Sequence, residues 1–232
     1  MVFSKEINGG YTENDRYDLL AGTSLHYTEE VRGFKFTVSP FAFFQVNINV
    51  FEKMLQEIQD FLNIDSKTIL FDVCCGTGAI GICLSSQAQK VVGFELVEAA
   101  VRNAEANVKM NEALIDPSRC EYHAGRAEET MPEVAKKFSD SESKIVGIVD
   151  PPRGGLHRDV LRAIRCCKGL NRLVYVSCNA QTQMRDMQFL CFATVKKKRN
   201  APPFVPVKCL GADLFPFTSH VESIVFFERS EQ

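Results

Sequence analysis

The chain has 232 residues, which at about 150 residues per domain means one large domain or one domain with a small appendage. Hydrophobic residues make up 45%, charged 24% and aromatic 10%, with no apolar run of about 18 residues, so disordered, fibrous and helical membrane-spanning classes are excluded. A net charge of −2 gives no global pull toward nucleic acid, so any such binding must come from local patches.

In chain order, residues 1–40 show weak periodicity with scattered glycines and acids, then Gly33-Phe34-Lys35-Phe36-Thr37-Val38. They read as the trailing edge of a preceding region, with the main domain at 41–232. Lys5, Glu6 and Asn8 stand where a secretory signal needs its apolar core, so secretion is not expected. Val50, Met54, Ile58, Phe61 and Leu62 share one face of a helix predicted over 47–62. From residue 68 short apolar runs alternate with helical patterns, the rhythm of a Rossmann-like α/β sheet with parallel strands. The predicted strands are Thr68–Val73, 90–94, 120–123, Lys144–Val149 and 173–177, and Val101, Ala104 and Val108 suit a helix after the second. Two β-rich runs, 207–214 and 221–228, have only a turn-like segment between them and predict an antiparallel closing pair, giving about seven strands in all.

Phe71-Asp72-Val73-Cys74-Cys75-Gly76-Thr77-Gly78-Ala79-Ile80-Gly81 puts a glycine-rich turn directly after an apolar strand. Such a turn lets the backbone approach a ligand and exposes the N–H groups of the following helix, although the same turn also occurs without a ligand. Glu95, 17 residues beyond Gly78, ends the next strand, where a carboxylate can accept both hydroxyls of a ribose. Both features fit NAD and S-adenosylmethionine equally. Asp150-Pro151-Pro152-Arg153-Gly154-Gly155 stiffens the loop after the fourth strand, which suits group transfer to a planar ring, and Arg153 replaces the stacking aromatic of adenine amino-methyltransferases.

Nine cysteines, an odd number with no CxxC spacing, read as reduced thiols of a cytosolic or nuclear protein rather than as bridges, zinc ligands or an iron–sulfur site. For any one of them a buried packing role is the ordinary expectation. Cys178 differs because Leu173-Val174-Tyr175-Val176-Ser177-Cys178-Asn179 delivers it to the exit of a strand on the same rim as the Asp-Pro-Pro loop, where a thiolate can act as nucleophile.

With Ser39-Pro40-Phe41-Ala42-Phe43-Phe44-Gln45-Val46-Asn47 and His220-Val221-Glu222-Ser223, these blocks resemble the RNA 5-methyluridine methyltransferases over roughly residues 34–228. The resemblance implies a class I S-adenosyl-L-methionine-dependent methyltransferase fold, with S-adenosyl-L-homocysteine as product and tRNA as substrate. It implies that Gln45, Cys74, Gly76, Glu95 and Asp150 contact the cofactor, that Cys178 is the nucleophile and that Glu222 is the general base. The position after Gly125 lies near the cofactor in such enzymes, and Arg126 occupies it here. Residues 1–40 then correspond to the end of an RNA-recognition portion, so the chain is expected to bind the cofactor but tRNA only weakly, as a monomer without metal.

Carbon 5 of uracil is too weak a nucleophile to attack a methylsulfonium unaided. A thiolate added at carbon 6 turns the ring into an enolate, and a base must afterwards take the carbon-5 proton so that the thiol can leave. Enzymes acting on carbon 5 of cytosine in RNA carry Pro-Cys in the loop that reads Pro151-Pro152-Arg153 here, so uracil is the expected ring. Arg158, Arg162 and Arg165 share a helical face that can engage phosphates or simply be solvated, Lys196-Lys197-Lys198-Arg199 form a second basic run, and Phe43, Phe44 and Phe217 are candidates to stack on bases. The target uridine is expected to flip out of its stack. The competing readings are the same chemistry on another RNA, a cofactor-binding RNA chaperone or scaffold without turnover, and an NAD-dependent reductase.

Overall fold

The computed structural model describes residues 24, 26–38, 43–138, 143–192 and 202–230. The basic run at 196–199 and residues 39–42 of the Ser-Pro-Phe block lie outside them.

Nine strands and six α-helices follow one another along the described residues: β1 (Tyr27–Val31), β2 (Phe34–Val38), α1 (Ile48–Leu62), β3 (Thr68–Val73), α2 (Ala79–Leu84), β4 (Lys90–Glu95), α3 (Glu98–Met110), β5 (Cys120–Ala124), α4 (Ala127–Lys137), β6 (Lys144–Val149), α5 (Arg158–Cys166), β7 (Leu170–Ser177), α6 (Ala180–Phe192), β8 (Phe204–Ala212) and β9 (Glu222–Arg229). β1 and β2 form a hairpin, and the other seven make one sheet in the order β5-β4-β3-β6-β7-β9-β8. The first five of these run parallel, while β9 runs antiparallel to both β7 and β8.

β3 is buried along its whole length, as a central parallel strand covered on both faces must be. Its alternation sends Ile69, Phe71 and Val73 into a core layer with Met131 of α4, Ile164 of α5 and Leu190 of α6. Leu70 points the other way, into a layer with Leu55 and Ile58 of α1, Ile82 of α2 and Val108 of α3. Asp72 shares Leu70's parity and therefore lies on the α1–α3 side. Val31 and Phe36 of the hairpin are fully buried in that same layer. The hairpin is further tied to α3, because Asn107 Oδ1 accepts from Thr37 N at 3.0 Å and Asn111 Oδ1 from Lys35 N at 2.8 Å.

Two antiparallel registers matter for function. Ser177 pairs with Ser223 across β7 and β9, and Ala212 pairs with Glu222 across β8 and β9. A parallel strand offers its last residues to the carboxyl rim, whereas an antiparallel neighbour offers its first. Cys178, just past the end of β7, and Glu222, at the start of β9, thus emerge side by side on one rim.

Candidate active site

Local sequence shapes the rim above β3. Cys74, Gly76 and Gly78 have φ of 63°, 55° and 79°, so the chain runs through three left-handed residues before α2. At Gly78 glycine is required, because a Cβ there would come within 2.7 Å of the Tyr122 hydroxyl. Cys74 adopts the same conformation without being glycine, a strain of the kind found around ligand sites. The Glu95 carboxylate braces the turn, accepting from Gly76 N and from Val97 N, each at 2.9 Å. Asp72 accepts from Gly81 N at 3.0 Å through one oxygen, while its other oxygen is buried with no partner.

The loop after β6 is pinned from beneath. Asp150 N donates to Val73 O at 3.2 Å, and the Arg153 carbonyl accepts from Asn179 Nδ2 at 3.1 Å and Thr182 Oγ1 at 3.2 Å, joining this loop to the start of α6. Buried Asp186 fastens the far end, one oxygen accepting from both Leu156 N and the Tyr175 hydroxyl at 2.7 Å.

These loops enclose a cavity of about 760 Å³, lined by Gln45, Cys74, Gly76, Glu95, Asp150, Cys178 and Glu222 among others. Seven residues picked from six separate stretches of sequence therefore meet in one space. Arg126 does not line it, standing instead as the N-cap of α4. Arg153, Asn103, Phe215 and His220 line it too, although the sequence assigned them no role there. The placement of Arg153 in the Asp-Pro-Pro block and of His220 in the His-Val-Glu-Ser block was the available signal.

The acids here are hard to ionise. Burial pushes the Asp72 carboxyl up to about 7, with nearby Glu95 adding to it. Burial also takes Asp150 up to about 8, helped by Glu222 and Asp72, and takes Glu222 up to about 7. The Cys74 thiol is pushed up to about 12, chiefly by burial and then by Glu95, so it is a poor nucleophile. Cys178 is also raised, first by burial and then by the Glu222 carboxylate, but a hydrogen bond with the Arg153 side chain pulls it back. Cys178 is thus the thiol of this cavity whose ionisation a cation assists.

Two expectations need correction. Arg165 does not share a phosphate-facing surface with Arg158 and Arg162: it is buried, and its guanidinium donates to Pro202 O at 2.9 Å, because α5 turns that position toward β8. Arg162 is engaged with Asp159 and Arg158 lies over the Phe189 ring, so no uninterrupted basic stripe results. Phe44 is buried against Phe36 and belongs to the core, while Phe43 and Phe217 are exposed.

A family model described as tRNA (Uracil-5-)-methyltransferase matches residues 25–230. The chain belongs to this family. The human tRNA (uracil-5-)-methyltransferase homolog A is 42% identical over 203 residues, covering 88% of this chain and 31% of that protein. The zebrafish (Danio rerio) homolog B is 41% identical over 219 residues, covering 94% of this chain and 44% of its own length. This family member thus spans less than half of the length of these curated relatives. Among solved structures, the tRNA (uracil-54, C5)-methyltransferase of Pyrococcus abyssi, in complex with S-adenosyl-L-homocysteine, superposes with a TM-score of 0.69 at 25% identity, covering 94% of this chain and 49% of that one. The seven-stranded sheet with its reversed closing pair is accordingly the class I S-adenosylmethionine-dependent methyltransferase fold.

Proposed function

We propose that the chain methylates carbon 5 of uridine in tRNA through covalent addition of Cys178 at carbon 6, with Glu222 as the base. The observation that carries this reading is the β7–β9 register, which sets a thiol and a hard-to-ionise carboxyl side by side in the cavity that the glycine turn also lines.

The cavity's chemistry fits S-adenosylmethionine. Among the described residues Gln45 Oε1 and one oxygen of Asp72 are buried without partners in the cavity that the left-handed turn also lines, which leaves polar atoms to be satisfied by a polar ligand. Gln45, Cys74, Gly76, Glu95 and Asp150 would hold it, Glu95 suiting the ribose hydroxyls. When bound, the cofactor supplies an electrophilic methyl group.

The remaining chemistry belongs to the chain. Arg153 favours the Cys178 thiolate, whose sulfur forms a bond to carbon 6 as the ring π-electrons shift toward carbon 5 and the carbonyl oxygen. Carbon 5, now electron-rich, would form the new carbon–carbon bond to the methyl group as the methyl–sulfonium bond breaks, its electron pair leaving with S-adenosyl-L-homocysteine. Glu222 as carboxylate then takes the carbon-5 proton, and the electron pair left behind restores the ring double bond as the carbon–sulfur bond breaks. The prolines at 151 and 152 keep the loop beside this site stiff. In this reading 41–232 carries the catalytic residues, and tRNA is bound weakly by this chain.

Incubation with S-adenosylmethionine and tRNA containing 5-fluorouridine tests the reading, since fluorine cannot leave as a proton and the adduct should persist on a denaturing gel. Cys178→Ala should abolish it, and an adduct that survives this substitution would overturn the assignment. Calorimetry with S-adenosylhomocysteine and with NAD separates methyl transfer from reduction, because heat with NAD alone would favour the reductase.

A further inference from the structure

The segment joining β8 to β9 contributes Phe215 and His220 to the cavity and leads into Glu222. Its tip is a turn in which Thr218 N donates to Phe215 O at 3.2 Å, with Pro216 second and Phe217 third, the latter at φ 65°. Proline followed by a positive φ is the pattern of a type II turn, whose third position ordinarily takes glycine or asparagine because a side chain there meets the backbone. Here it carries a phenylalanine that is fully exposed, at 107% of its reference area. The fold thus accepts two costs at one residue, a strained backbone and a ring left in water, and recovers neither within the described residues.

The turn is also held firmly. Thr218 Oγ1 donates to Phe215 O at 2.7 Å and accepts from His220 N at 3.1 Å, and the Phe215 and His220 rings meet edge to face at 6.3 Å. A side chain on such a rigid tip is presented, not merely unpacked. Across the same cavity Phe43 is exposed as well, and Arg153 supplies a cation.

We propose that Phe217 is a stacking platform for an RNA nucleobase next to the target uridine, supporting the strand from which that uridine has been drawn out. This rests on the uridine-methylating reading above. A flat apolar ring at a fixed height beside a pocket suits the π-face of any base, so the contact would add affinity and orientation with little sequence preference. Phe217 is a positioning residue in this scheme, since Cys178 and Glu222 alone touch the reacting atoms.

Two variants test the idea. Phe217→Asn keeps a residue that tolerates the left-handed turn while removing the ring. The melting temperature should stay level or rise by about 2 °C, S-adenosylhomocysteine binding should not change, and KM for an unmodified tRNA transcript should rise roughly 5- to 100-fold, the worth of one stacked base. An unchanged KM in a variant that folds and binds the cofactor product would overturn the proposal. Because the chain has no tryptophan, Phe217→Trp installs a single fluorophore at the tip. Its emission should be quenched by the transcript, with KM kept near that of the unaltered chain, and emission indifferent to RNA would equally overturn the platform. Both experiments leave Cys178 intact, so the 5-fluorouridine adduct in the unaltered chain reports separately on the reading beneath. A chain forming no adduct would remove both.

Discussion

Three carboxyls of the cavity, Asp72, Asp150 and Glu222, have their ionisation raised to about 7, about 8 and about 7. A base must be ionised to accept a proton, so methylation should climb with pH through about 7 as Glu222 loses its own proton. Glu222→Gln should leave addition by Cys178 possible but slow turnover by about 100-fold or more, with adduct accumulating on ordinary, unfluorinated tRNA, as a denaturing gel would reveal. Stability has the opposite slope. The folded chain holds protons on Asp72 and Asp150 that the unfolded chain has already released, so between about pH 4 and 8 raising the pH favours unfolding. Asp65, lowered to about 2 by its hydrogen bonds with Lys144 and Thr68, works the other way, but its effect is lost only below its unfolded value near 3.8. Without ligand, the thermal midpoint should therefore fall by roughly 10 °C or more from pH 5.5 to pH 8, and Asp150→Asn should flatten that slope in a calorimetric scan. A midpoint that rises over this range would contradict the assignment of these groups.

At the scale of elements, α5 is fastened to the reversed strands by one side chain. Arg229 on β9 donates to the carbonyls of Ile164, Arg165, Cys167, Leu170 and Pro202 at 2.7 to 3.1 Å, and its guanidinium lies 3.9 Å from the centre of the Phe204 ring. Burial lowers its ionisation to about 10, and the carbonyls at the end of α5 compensate as a cation there should. Arg229→Met removes all five charge-assisted bonds, so it should cost about 3 kcal/mol and lower the midpoint by about 9 °C while leaving S-adenosylhomocysteine affinity unchanged. The residues behind this joint show where the sequence was legible and where it was not. Strands β3 and β6 announce themselves through the near-continuous apolar stretches Ile69-Leu70-Phe71 and Ile145-Val146-Gly147-Ile148-Val149, because parallel strands bury both faces. β8 begins at Phe204, earlier than its apolar pattern suggests, because Pro206 sits at a register irregularity on an edge strand, where a missing N–H is tolerated. Positions 158, 162 and 165 have helical spacing, yet a guanidinium is long enough to turn Arg165 inward to Pro202 O. Phe43 and Phe44 are adjacent, yet one is exposed and the other buried, which no composition or spacing reveals.

For the molecule as a whole, sheet order decided more than any single motif. Each short block could be found alone in unrelated proteins. What the chain's linear order conceals is that β9 returns beside β7, bringing position 222 to the same rim as position 178 across 44 residues of sequence. That return was legible only as a missing helix between two β-rich runs, whereas the bracing by Glu95 and the proton-withholding environment depend on side-chain geometry that strings of letters do not carry. Glu95 has a further consequence. Because it already clasps the amides of Gly76 and Val97, the floor of the pocket is set before anything arrives, and an incoming nucleoside forfeits little affinity to disciplining a slack loop. The protein has spent that entropy in folding, and holds the hollow ready in the meantime.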